Sequence, residues 1–82
     1  MSHVHESEKF GTIDLGTIDG VQSALSIMGI DIGEIDGING PNTRAGVKAF
    51  QEQAELAADG VVGPNTREAL KNALDQLAAY NE

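Results

Sequence analysis

Three segments of the chain carry apolar residues at intervals of three and four, the spacing of one face of an α-helix. These intervals predict helices near residues 41–54 and 64–79, and a third helix that begins after Thr17. Thr17 or Asp19 is a suitable N-cap for this first helix, and Gly29 is a suitable C-terminal stop. The pattern therefore predicts an all-α domain of three helices.

The segment between the first two helices alternates isoleucine with polar residues from Ile30 to Ile38. Such alternation fits a short strand, but the glycines in and around the segment favour a structured loop. We expect this loop to insert isoleucines into the core. The apolar side chains that we predict to be buried are Val21, Leu25, Met28, Ile35, Ile38, Val47, Phe50, Val61, Leu70, Leu74 and Leu77.

A nine-residue motif occurs twice. Residues 36–44 recur as residues 59–67, with seven of nine positions identical at an offset of 23. The glycines permit tight loops, and the proline after the second glycine suits the first position of a helix. We interpret the motif as a duplicated loop-to-helix unit within one domain, in which most residues serve the backbone. Its structural positions are Asp36, Gly37, Gly40, Pro41, Thr43, Asp59, Gly60, Gly63, Pro64 and Thr66.

The first fifteen residues differ from the rest. Residues 11–14 are repeated as residues 16–19, and only the second copy has a helix to cap. We therefore expect residues 1–15 to form an arm, either flexible or packed on the domain or a neighbour, and residues 16–80 to form the domain. His3 and His5 alone are too few for a metal site, so a solvated tail without metal is expected.

Composition excludes several classes of function. The 82 residues suffice for one modest core. The net charge of −8, from thirteen acidic and five basic residues, disfavours nucleic acid and anionic membranes as partners. No stretch is apolar enough to span a membrane or to serve as a signal peptide.

Catalytic signatures are also missing from the sequence. The acidic residues fall mostly in loops or on exposed helical faces, and the serines have no histidine placed to activate them. The glycine-rich loops lack the lysine of a phosphate-binding loop. We predict that the chain is not an enzyme and needs no cofactor.

Several runs together resemble the peptidoglycan-binding domain family, of the three-helix type found on bacterial cell-wall hydrolases and phage lysins. The resemblance covers about residues 17–74. It rests on the doubled Asp-Gly-x-x-Gly-Pro-x-Thr element, on the pair Phe50-Gln51 between the copies, and on Leu25 and Gly29 at the end of the first helix. It implies a compact three-helix fold of that family, with the two repeats as its loop-to-helix units.

The resemblance also implies a function. We expect a non-catalytic module that anchors a larger assembly or an enzyme to cell-wall peptidoglycan, through the stem peptide or the glycan. Candidate ligand-binding residues, which could offer amide and guanidinium groups, are Asn39, Asn42, Arg44, Gln51, Asn65 and Arg67. For the two arginines the alternative is ion pairing with nearby acids such as Glu34, Asp36 or Glu68.

A second hypothesis keeps the fold but exchanges the ligand for a protein. The chain would then be a structural or adaptor protein of a phage tail or contractile injection particle, with residues 1–15 binding a protein partner or a second copy. Without a signal peptide, we expect synthesis in the cytoplasm and delivery to the cell envelope within a particle or by a non-classical route.

Overall fold

The computed structural model describes residues 3–80, apart from the side chain of Tyr80. The first two residues of the predicted arm therefore lie outside the described residues. The elements in chain order are β1 (Val4–Ser7), β2 (Gly11–Asp14), α1 (Ile18–Ile27), α2 (Pro41–Gln53) and α3 (Pro64–Tyr80).

The three predicted helices are confirmed. Thr17 is the N-cap of α1, and its hydroxyl accepts the backbone N–H of Gly20 at 3.1 Å. The helix ends before Gly29, whose N–H donates to the carbonyl of Ser26. Both α2 and α3 begin at the proline of the repeated motif. The segment between α1 and α2 is a loop, as the glycines predicted.

The expectation of a purely helical fold is wrong, because β1 and β2 form a two-stranded antiparallel hairpin. His5 pairs with Ile13 across the hairpin, and both side chains are buried. Leu15, directly after β2, is fully buried in the helical core. The hairpin packs against α1 and α3. The expectation of a solvated tail is therefore wrong for His5, which is 1% exposed.

The core lies between the three helices and the hairpin. Six of the predicted side chains are buried there, and the structure adds four that were not predicted, namely Ile13, Leu15, Ala24 and Ile32. Met28 and Leu77 are only half-buried. The buried side chains that were predicted are Val21, Leu25, Val47, Phe50, Leu70 and Leu74.

Three predicted core residues are instead exposed: Ile35 by 51%, Ile38 by 65% and Val61 by 64%. Ile38 and Val61 occupy equivalent positions in the two repeats. In each case the backbone C=O accepts from a buried glutamine beneath the loop, and the backbone N–H donates to an aspartate of the loop itself. Because the backbone faces inward, the apolar side chain faces solvent.

Candidate functional site

Gln22 on α1 holds the loop of the first repeat. Its Nε2 lies 3.0 Å from Asp36 Oδ1, 3.0 Å from the Ile38 carbonyl oxygen and 2.9 Å from Thr43 Oγ1. Its Oε1 accepts the backbone N–H groups of Asp36 and Gly37, at 3.1 and 2.9 Å. The Gln22 side chain is fully buried, so one amide beneath the loop satisfies both its own polar atoms and those of the loop.

Gln51 on α2 does the same for the second repeat. Its Nε2 lies 3.1 Å from Asp59 Oδ1, 3.0 Å from the Val61 carbonyl oxygen and 3.1 Å from Thr66 Oγ1. Its Oε1 accepts the N–H of Gly60 at 2.9 Å. Gln51 is 1% exposed. Its amide thus supports the loop and has no surface to offer a ligand.

We call the hydrogen bonds around Gln22 and those around Gln51 the two glutamine clamps. They explain why each motif has an aspartate, because the carboxylate is one of the groups that the glutamine binds. Asp36 and Asp59 each accept the N–H two residues ahead at 2.9 Å, in addition to the glutamine amide. The pKa of Asp36 is lowered mainly by the Gln22 hydrogen bond, and that of Asp59 by the Val61 N–H and then by Gln51. Both carboxylates are therefore structural acceptors at neutral pH.

Three predicted ligand residues lie together at the start of α2. Asn39, Asn42 and Arg44 are all exposed, and Arg44 Nη1 makes a long contact of 3.5 Å with the Asn39 carbonyl oxygen. Asn42 borders a cleft of about 450 Å³ whose lining also contains the carboxylates of Glu34 and Asp36. This surface can offer amides and one guanidinium group to a ligand.

The start of α3 differs. Asn65 is exposed and borders a separate cleft of about 190 Å³. The Arg67 guanidinium instead donates to the carbonyl of Leu15, at the end of the hairpin. Among residues 3–79, neither Arg44 nor Arg67 forms an ion pair with a carboxylate. The alternative that these arginines pair with nearby acids is therefore not seen in these residues. Arg67 ties the hairpin to α3.

The largest described cleft is a groove of about 660 Å³ between the C-terminal ends of α1 and α2 and the middle of α3. Seven of its ten lining side chains are apolar, including Met28 and Leu77, whose partial exposure the helical pattern did not predict. The other three are the amides of Gln53, Asn72 and Gln76. No lining residue is charged. The sequence signal for this groove is weak, because its walls come from three distant segments.

A hydrogen-bonded chain of three side chains joins the hairpin to α3. His5 Nδ1 lies 2.6 Å from Asp75 Oδ1, and His5 Nε2 lies 2.8 Å from Ser7 Oγ. The pKa of Asp75 is lowered, first by the hydrogen bond from Lys71 and then by that from His5, so the carboxylate is ionised and accepts. His5 Nδ1 is therefore the donor.

Ser7, His5 and Asp75 have the connectivity of a nucleophile, a base and an acid, an arrangement that the sequence analysis did not predict. Its surroundings suit a structural link better. Ser7 Oγ also accepts the Phe10 N–H at 3.0 Å, and His5 is almost inaccessible to a leaving group. Asp75 is shared with Lys71 Nζ at 2.8 Å. We interpret these three hydrogen-bonded side chains as a structural link that holds the hairpin against α3.

Within residues 3–80, no cluster of three or more His, Cys, Asp or Glu side chains is arranged to hold a metal ion. None of the helices in the described part of the chain combines the length and hydropathy needed to cross a membrane.

The two repeated loops, α1, α2 and the first turns of α3 lie within the span of a known family. A family model with the description "Putative peptidoglycan binding domain" matches residues 16–70, about two thirds of the chain. The matched span contains both glutamine clamps and most of the groove walls. A comparison with curated proteins and one with solved structures found no match. On the strength of the family match, the chain belongs to the peptidoglycan-binding domain family.

Proposed function

We propose that this chain is a non-catalytic module that holds a larger assembly against bacterial cell-wall peptidoglycan. The observation that carries the proposal is the family match over residues 16–70. The structure is compatible with it, because the two glutamine clamps hold the loops and present the starts of α2 and α3 as fixed surfaces. A rigid, pre-formed surface loses little entropy when it binds.

Asn39, Asn42 and Arg44 are the part of the predicted ligand set that we propose for contact with the stem peptide. All three are exposed, and Arg44 carries a positive charge without an ion-pair partner among the described residues. Asn65 stays in the proposed set as a neighbouring amide. We remove Gln51 and Arg67 from the proposed ligand set. The Gln51 amide is bonded to the loop of the second repeat, and the Arg67 guanidinium is bonded to the end of the hairpin.

Cosedimentation with purified sacculi free of teichoic acid tests this proposal. We expect the wild-type chain to pellet with the sacculi and Arg44→Ala to pellet several-fold less. Lys48→Ala is the matched control, since Lys48 is an exposed cation on the same helix and should not affect retention. Wild-type protein that stays in the supernatant would refute the function. Equal retention of all three proteins would refute only the role of Arg44.

A structural or adaptor role in a phage tail or contractile injection particle is the second candidate. It is favoured by the exposed apolar side chains of Ile35, Ile38 and Val61, which suit a protein contact. The substitutions Ile38→Ser and Val61→Ser remove exposed apolar groups from the two loops without touching the core. Size-exclusion chromatography with light scattering should then show loss of any self-association. A monomeric wild-type chain would count against self-assembly through this surface.

A further inference from the structure

The groove defined above differs from the other clefts in its charge. Each of the three smaller clefts has at least one carboxylate in its lining, from Glu34 and Asp36, from Asp59, or from Glu6 and Asp75. The groove has none, although the chain carries a net charge of −8. Of the four clefts, this groove alone has no carboxylate in its lining. An uncharged or weakly anionic ligand would therefore meet no negative charge there.

The polar groups of the groove are free for a ligand. Gln53, Asn72 and Gln76 are exposed, and their amides make no hydrogen bond to another group among residues 3–80. Asn72 and Gln76 are four residues apart on α3, so they lie on one helical face. Between them and α2 the floor consists of half-buried apolar side chains such as Ala54 and Ala73.

We infer that this groove binds the glycan strand of peptidoglycan through its N-acetyl sugars. An acetamido group combines a methyl group with an amide, and the groove combines small apolar contacts with free side-chain amides. The amino sugars of intact strands are uncharged. The stem peptide carries carboxylates, for which the groove offers no cation. The volume of about 660 Å³ is within the range of small-ligand sites.

The inference rests on the proposed function and assigns a substrate class to a separate surface. The start of α2 would contact the anionic stem peptide through Arg44, and the groove would contact the neutral glycan. Its prediction is specific: an uncharged N-acetylglucosamine oligomer binds without any peptide attached, and it binds at the groove.

The test is a titration of the ¹⁵N-labelled full chain, followed by NMR, with the N-acetylglucosamine hexamer and, separately, with a free stem pentapeptide. We expect the hexamer to shift the amides of residues that line the groove. The double variant Asn72→Ala/Gln76→Ala should bind about tenfold more weakly, since it loses about two hydrogen bonds. Alanine favours a helix, so this variant should fold.

Two further variants sharpen the result. Ala73→Leu fills the floor without removing an amide and should also weaken binding. Ser26→Ala removes an exposed polar group outside the groove and should leave affinity within about twofold, the change expected of an uninvolved surface position. If the hexamer shifts nothing, or shifts only residues elsewhere, while sacculi still retain the chain, the glycan assignment is overturned and the proposed function stands. If sacculi do not retain the chain, the proposed function fails with it.

Discussion

Replacing Gln51 by glutamate changes one NH₂ group to an oxygen and keeps the shape of the side chain. In the native clamp, Nε2 faces Asp59 Oδ1, the Val61 carbonyl oxygen and Thr66 Oγ1. An ionised glutamate would place a negative oxygen against the Asp59 carboxylate and against a carbonyl oxygen. It would keep the contact with the Gly60 N–H, and the Thr66 hydroxyl could turn to donate to the new oxygen.

The loss can be worked out from these contacts. The two N–H donors of the amide disappear, at roughly 1 kcal/mol each, and a buried negative charge is held against the Asp59 carboxylate and the Val61 carbonyl oxygen, so we expect a destabilisation of about 3–5 kcal/mol. At 0.05–0.15 kcal/mol per residue, the whole domain has a stability of about 4–12 kcal/mol. The variant therefore loses a large part of its stability at pH 7.

Urea unfolding followed by far-ultraviolet circular dichroism measures this loss. With a slope of about 1 kcal/mol per M for a small domain, the midpoint of Gln51→Glu should fall by about 3 M or more. Gln53→Glu is the control, because Gln53 is exposed on the same helix and its midpoint should move by less than about 0.5 M. A midpoint of Gln51→Glu within 0.5 M of wild type, on the order of experimental error, would refute the clamp.

The same variant makes a prediction about pH. Burial and the neighbouring Asp59 charge raise the folded-state pKa of the introduced glutamate above its unfolded value of about 4.3. The destabilisation is therefore complete above the folded pKa and shrinks as pH falls through it, because the protonated acid regains a donor. A destabilisation relative to wild type that is the same at pH 7 and at pH 4.5 would contradict this sign.

Three other predictions concern packing, acid stability and catalysis. A Cβ on Gly46 would lie 2.6 Å from Ile32 Cγ2, so Gly46→Ala should destabilise the domain by about 1–3 kcal/mol despite better helix propensity. The urea midpoint should then fall by about 1–3 M, and a higher midpoint would contradict the packing. The carboxyl groups of Asp36, Asp59 and Asp75 have lowered pKa values, so the stability that they contribute is lost as pH falls below about 4. In an acid titration followed by circular dichroism, unfolding that is complete at pH 5 would exclude protonation of these groups as its cause. A fluorophosphonate probe should leave Ser7 unlabelled by intact mass; a stoichiometric adduct would reveal a nucleophile.

Helix positions were predictable because local signals determine them. The prolines at the two helix starts and the cap at Thr17 act within a few residues, and the apolar stripes repeat over several turns. The loop before α2 was predictable for the same reason, since its glycines interrupt any regular element. These features were sufficient to predict three helices and their order.

The hairpin was not predictable from local signals. Its strands have four residues each, too few for a clear alternation, and its attachment depends on the contact of His5 with Asp75, seventy residues away. The glutamine clamps were missed for a related reason. Gln22 lies fourteen residues before its aspartate and Gln51 lies eight, so the two do not align at the repeat offset.

The exposed isoleucines show the limit of hydrophobicity as a guide. Ile35 and Ile38 were predicted to be buried because apolar residues in a small domain usually fill the core. The loop instead satisfies its backbone polar groups on Gln22 and Asp36, and this requirement directs Ile38 to the surface. The groove likewise depends on residues that only the packed helices bring together.

Binding of the wild-type chain to purified, teichoic-acid-free sacculi is the most direct measurement of the central claim. Protein depletion is followed as the amount of sacculi increases, and soluble fragments released from the same sacculi serve as competitors. Peptidoglycan binding predicts saturable depletion that the fragments reverse. Folded protein that stays in the supernatant at every amount of sacculi would contradict it.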